Sequence, residues 1–79
     1  MAFRFQAGYM REFAATVSGQ VEARRRAIPP WVYQRITVYI ERSVADVDFD
    51  RLFSLYRVFQ HTEDKHLRPA LDVFFQKEG

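Results

Sequence analysis

Apolar or small residues recur at Phe3, Ala7, Met10, Ala14, Val17, Val21 and Ile28, in steps of four, three, four, three, four and then seven. A mean step of 3.5 residues gathers all of them on one side of an α-helix, whereas a strand would scatter them over both faces. The start of the chain is therefore predicted to be one long amphipathic helix over about 3–27. Arg24 occupies the position that the stripe skips, and Arg4, Arg11, Ser18 and Arg25 fall seven apart on an opposing polar stripe. The flanks of the apolar stripe (Gly8, Tyr9, Ala15 and Ala23) are small or aromatic, not charged. That pattern suits a broad buried face in a bundle better than the seam of a two-stranded zipper. Gly8 and Gly19 each cost a helix about 1 kcal/mol relative to Ala, so packing and not propensity must hold this helix together. Pro29 keeps Ile28 out of helical dihedrals and ends it.

The remaining punctuation is an acidic corner at 45–50 and a polar run at 60–65, and the pieces between these marks read as further helices. The segment 31–44 carries conflicting signals. Eight of the ten residues from Trp31 to Ile40 are β-branched or aromatic, which favours a strand. Against this, Pro30 suits a first helical position, Tyr33, Ile36, Ile40 and Val44 keep helical spacing, and no other segment offers a strand to pair with. A helix over about 31–44 is the consistent choice. Asp48 is a ready N-cap for the next helix, about 49–60, with Asp50 in its first turn and Phe49, Leu52, Phe53, Tyr56 and Phe59 along one side. Pro69 predicts a bend near 66–68, followed by a short C-terminal helix over about 69–76, with Leu67, Leu71, Phe74 and Phe75 forming its apolar side. The expected fold is thus all-α: a small helical bundle of three main helices and a short fourth, built as a single domain over residues 1–79.

Seventy-nine residues without cysteine leave no room for a second core, a disulfide scaffold or a thiolate zinc site. The net charge of +2 is too small to argue for nucleic acid by itself, although residues 1–45 are basic and residues 46–79 mildly acidic. No apolar run is long enough to span a membrane, and Arg4, Arg11 and Glu12 interrupt any signal-peptide core. A soluble cytoplasmic protein is the expectation.

Catalytic chemistry finds little support. There is no cysteine nucleophile, Ser18, Ser43 and Ser54 lie in helical context, and the three glycines form no phosphate-binding loop. His61, Glu63, Asp64 and His66 could in principle gather around a metal, but histidines five apart point to different sides of a helix. A polar connection between helices is the better reading, so no metal, cofactor or catalytic residue is assigned. What the chain does have is a surplus of apolar bulk. Thirty residues are large and apolar, and phenylalanine outnumbers leucine eight to four. A chain this short buries only about 60% of its unfolded surface. Phe49, Phe53 and Phe59 have a place on the third helix, whereas Phe5, Tyr9 and Phe13 lie off the main stripe of the first, and Phe74 and Phe75 are adjacent and cannot both point inward. Residues 24–26, three consecutive arginines, precede Trp31, and Arg and Trp are enriched in interface hot spots. The expectation is a non-enzymatic protein-binding module, an adaptor, regulator or inhibitor, that forms a homodimer or joins a complex. Its partner-binding candidates are Phe5, Tyr9, Phe13, Arg24, Arg25, Arg26, Trp31, Phe74 and Phe75. The alternative is a small nucleic-acid-binding regulator that sets Arg24, Arg25, Arg26 and Arg35 on phosphates and Trp31 on a base.

Overall fold

The structure is a computed structural model that describes residues 2–78, with side chains from residue 6 onward. Four α-helices follow one another: α1 (Ala2–Ala23), α2 (Pro30–Ala45), α3 (Phe49–His61) and α4 (Asp64–Glu78), with a 3₁₀ turn, Arg25–Ala27, between α1 and α2. No strand occurs among the described residues.

All four helices contribute to one core. Met10, Ala14, Val17 and Val21 of the α1 stripe are buried, as its spacing requires, and Ile28 joins them from the link. Val32, Ile36 and Ile40 enter from α2, Leu52, Leu55 and Phe59 from α3, and Leu67, Leu71 and Phe75 from α4. The β-rich segment is therefore helical. Its buried line runs through Val32, Ile36, Ile40 and Ser43, one position round from the expected Tyr33 and Val44, which are only partly buried. Ser43 tolerates burial because its hydroxyl donates to the Tyr39 carbonyl at 2.8 Å.

Two boundaries depart from expectation. The first helix does not continue to residue 27. It leaves α geometry at Arg24, and the chain tightens into the 3₁₀ turn, with Ala27 N–H on the Arg24 carbonyl and Ile28 N–H on the Arg25 carbonyl, both at 3.0 Å. The bend foreseen at 66–68 is absent, and α4 runs through Pro69 from Asp64. Proline inside a helix costs about 3 kcal/mol, whereas burying Leu67, Leu71 and Phe75 contributes about 1.5–3 kcal/mol each, so packing on both sides of the proline outweighs it. The carbonyl that loses its bond belongs to Lys65, an exposed residue, where water can replace the missing amide.

The α2–α3 corner joins two caps at one residue. Val47 adopts φ 49°, a left-handed conformation that a β-branched residue rarely takes. It lets Val47 N–H reach the Val44 carbonyl at 3.1 Å and Asp48 N–H reach the Ser43 carbonyl at 2.9 Å, which is the Schellman arrangement normally served by glycine. Asp48 then caps α3, its carboxylate accepting from Arg51 N–H at 3.0 Å.

Candidate interaction surfaces

The arginine triplet divides on folding. Arg24 turns into the molecule, its side chain only 19% exposed. Its guanidinium donates to the Phe59 carbonyl at 2.7 Å, to the Thr62 carbonyl, and to the Asp64 carboxylate at 2.6 Å, and it lies 5.8 Å from the centre of the Phe59 ring. A helix leaves its last carbonyls without partners, and α3 ends with no glycine cap. Arg24 takes that role from 35 residues upstream and places a cation between the C-terminus of α3 and the acidic first turn of α4. Arg25 stacks 4.0 Å over the Tyr33 ring and pairs with Glu22, which also accepts the Tyr33 hydroxyl. That hydrogen bond, with some burial, holds the phenol above its usual ionisation range. Arg26 alone faces outward with no hydrogen-bond or acidic partner among the described residues. The triplet therefore does not present three guanidinium groups to one ligand.

The aromatic candidates divide as well. Phe75 is a core residue, 6% exposed. Its neighbour Phe74 is half-buried, and the two rings lie 5.2 Å apart, both edge-on to Tyr39. The Tyr39 hydroxyl donates to the Arg51 carbonyl at 2.7 Å and lies 3.2 Å from the Glu78 carboxylate. Burial and the neighbouring Glu78 charge push its ionisation well above the ordinary phenol range, so it remains a neutral donor. Adjacent phenylalanines at the end of α4 are thus mainly consumed by packing. The side chain of Phe5 lies outside the described residues.

Apart from Val73 on α4, the large apolar groups left in solvent among the described residues lie on two surfaces. One lies along α1 and α3. Tyr9 is 62% exposed and Phe53 47% exposed. Beside Phe53, the half-buried Phe13 and Tyr56 complete a ring cluster, with centroids 6.3 Å (Phe13–Phe53), 5.3 Å (Phe13–Tyr56) and 5.8 Å (Phe53–Tyr56) apart. Asp50 and Arg57 stand three residues before and four after Phe53, on the same side of α3. Both are exposed, and neither has an ion-pair partner among the described residues.

The second surface is an open groove of about 610 Å³ between the outward side of α2 and the end of α4. Trp31 (52% exposed) and Val38 (46%) sit seven residues apart on α2, with Arg35 and Arg42 interleaved at the same spacing and Phe75 in the floor. Arg35 lies 4.8 Å over the Phe75 ring. Arg51 reaches the rim but is held by Asp46 at 2.9 Å and Asp48 at 3.5 Å, and the Asp46 hydrogen bond raises its already high ionisation further.

Sequence reasoning missed Phe53 as a surface residue and underrated the Trp31–Val38 and Arg35–Arg42 pairs. A signal for Phe53 was present: seven of the thirteen residues of α3 are large and apolar (Phe49, Leu52, Phe53, Leu55, Tyr56, Val58 and Phe59), more than one face can bury. The polar cluster of residues 61–66 is a helix junction, in which Asp64 answers Arg24 and His66 N–H bonds the Glu63 carbonyl at 2.9 Å. No described helix is long and apolar enough to cross a membrane.

No protein-family model matches this sequence. Neither a curated protein nor a solved structure matches it.

Proposed function

We propose that the protein is a small non-enzymatic binding module that self-associates through the α1–α3 aromatic face. The observation that carries this reading is Phe53 left half-exposed at the outer edge of a ring cluster, with Asp50 and Arg57 on either side and without an ion-pair partner among the described residues. A two-fold interface brings each surface onto itself, so residue i of one copy meets residue j of the other and the reverse. If α3 packs antiparallel on α3 of a second copy about Phe53, Asp50 of each lies over Arg57 of the other. The same contact would cover Phe53 and bring the α1 side of the cluster, with Tyr9, towards the second copy, two of the aromatic groups that a monomer leaves in water. A small bundle of this length gains stability from such burial, which adds apolar area that one short chain cannot hide alone. As a dimer, or through the same face as a subunit of a larger assembly, the chain would act as an adaptor, regulator or inhibitor. The nucleic-acid reading is less favoured, because Arg24 is withdrawn into the α3–α4 junction and Arg25 is stacked on Tyr33.

Light scattering over a dilution series from high to low micromolar tests this. The expected result is a dimer at high concentration that dissociates on dilution, with binding of an apolar dye rising as the monomer appears. A monomer at every concentration, with weak dye binding throughout, would remove self-association.

A further inference from the structure

We infer that the α2–α4 groove is a second docking site, separate from the self-association face, and that it takes an acidic amphipathic helix of another protein. From Trp31 to Arg42 the outward side of α2 carries the exposed residues Trp31, Arg35, Val38 and Arg42 over three turns, about 16 Å at about 1.5 Å per residue. Along that line, apolar and cationic side chains alternate at heptad spacing: Trp31, Arg35, Val38, Arg42. A helix laid beside α2 would present its own apolar groups at i, i+3 or i+4 and i+7, the spacing at which Trp31 and Val38 recur. Charge selects the occupant. Arg35 and Arg42 have no acidic partner among the described residues, and Glu78, the one carboxylate among the described residues lining the groove, is engaged by the Tyr39 hydroxyl. Carboxylates flanking the apolar line of an incoming helix would meet both guanidinium groups, whereas lysines would be repelled. Phe75 lies beneath Arg35 and orients its guanidinium by stacking.

Trp31 is the only tryptophan, so its fluorescence reports on the groove. The test titrates the full chain with a synthetic helical peptide that carries Leu at i, i+3, i+4 and i+7, Glu elsewhere, and no aromatic residue. A matched peptide with Lys in place of Glu serves as the control. The expected result is a saturable shift of Trp31 emission with the Glu peptide, weakened by salt, and little change with the Lys peptide. Arg35→Glu combined with Arg42→Glu should weaken the Glu peptide by at least about tenfold and make the Lys peptide the tighter ligand, with a melting temperature lowered only modestly, by loss of the Arg35–Phe75 stacking and of the cation in the last turn of α2. Phe53→Ser should leave the titration as it is, which separates this site from the dimer face. Equal binding of both peptides, no binding of the Glu peptide, or no reversal of preference in the double variant would overturn the proposal. So would tighter quenching by a thymidine oligonucleotide than by the Glu peptide, which would assign the groove to nucleic acid.

Discussion

The arginines at the end of α1 and those on the outside of α2 make an instructive pair. Residues 24–26 form the densest cluster of positive charge in the chain, yet Arg24 is folded against the end of α3 and Arg25 against Tyr33. Arg35 and Arg42 lie seven residues apart and form no cluster in the sequence, but they are the ones that border an open groove. Phenylalanine repeats the contrast. The adjacent pair Phe74 and Phe75 packs inward on Tyr39, and Phe53, which shares a helix with the three buried residues Leu52, Leu55 and Phe59, stands half in solvent. Density along the chain is thus a poor guide to what a partner meets. What decides is whether the fold has unsatisfied groups within reach, and here the bare carbonyls of α3 claimed Arg24.

The sharpest way to break this contrast is by stability. Phe75→Ala should cost about 3–5 kcal/mol, as expected for a buried aromatic, while Phe53→Ser, which removes a half-buried ring and its contacts to Phe13 and Tyr56, should cost the monomer about 1–2 kcal/mol. Urea titrations of the two variants, at a protein concentration below dimerisation, measure the difference. Comparable losses would mean that the two rings are not divided between core and surface. Next in size is Arg24→Met, for which about 2–4 kcal/mol is expected. It removes charge-assisted hydrogen bonds and strands the Phe59 and Thr62 carbonyls, the Asp64 contact adding little because that carboxylate is mostly exposed. Arg24→Lys should recover only part, since an ammonium cannot span three acceptors in one plane. Arg25→Ala should lose no more than about 1 kcal/mol through its exposed stacking on Tyr33, and Arg26→Ala should stay within about 0.5 kcal/mol. Thermal melts of the three single variants rank them, and a triplet with equal effects would contradict the division described here.

Much of the fold was legible because it rests on local periodicity. The α1 stripe predicted the burial of Met10, Ala14, Val17, Val21 and Ile28, while Ala7 is only partly buried and the Phe3 side chain lies outside the described residues. Asp48 announced the start of α3, and Pro30 identified the segment 31–44 as a helix against its β-propensity. The misreadings have a common cause in contacts distant along the chain. Pro69 looks like a break until Leu67 and Leu71 are seen to be buried on either side of it. The cap of α3 cannot be read from α3, because it is Arg24. The cap of α2 carries no glycine, and Val47 holds the left-handed position instead, so nothing local marks it. The site was legible to a lesser degree. Tyr9 and Trp31 were correctly placed in solvent, whereas locating Phe53 required knowing which part of an over-wide apolar arc α1 and α4 leave uncovered.

The central claim, that the α1–α3 face and not the α2 groove joins two copies, is tested most directly by a charge exchange at Asp50 and Arg57. Sedimentation equilibrium would be run on the wild type, Asp50→Arg, Arg57→Asp, the double exchange, and the Arg35→Glu, Arg42→Glu variant. Each single exchange counts twice in a two-fold interface and should weaken dimerisation by about tenfold or more. The double exchange should restore it, and the groove variant should match the wild type. A wild type that stays monomeric, a double exchange that fails to restore the dimer, or a dimer lost in the groove variant would contradict the account.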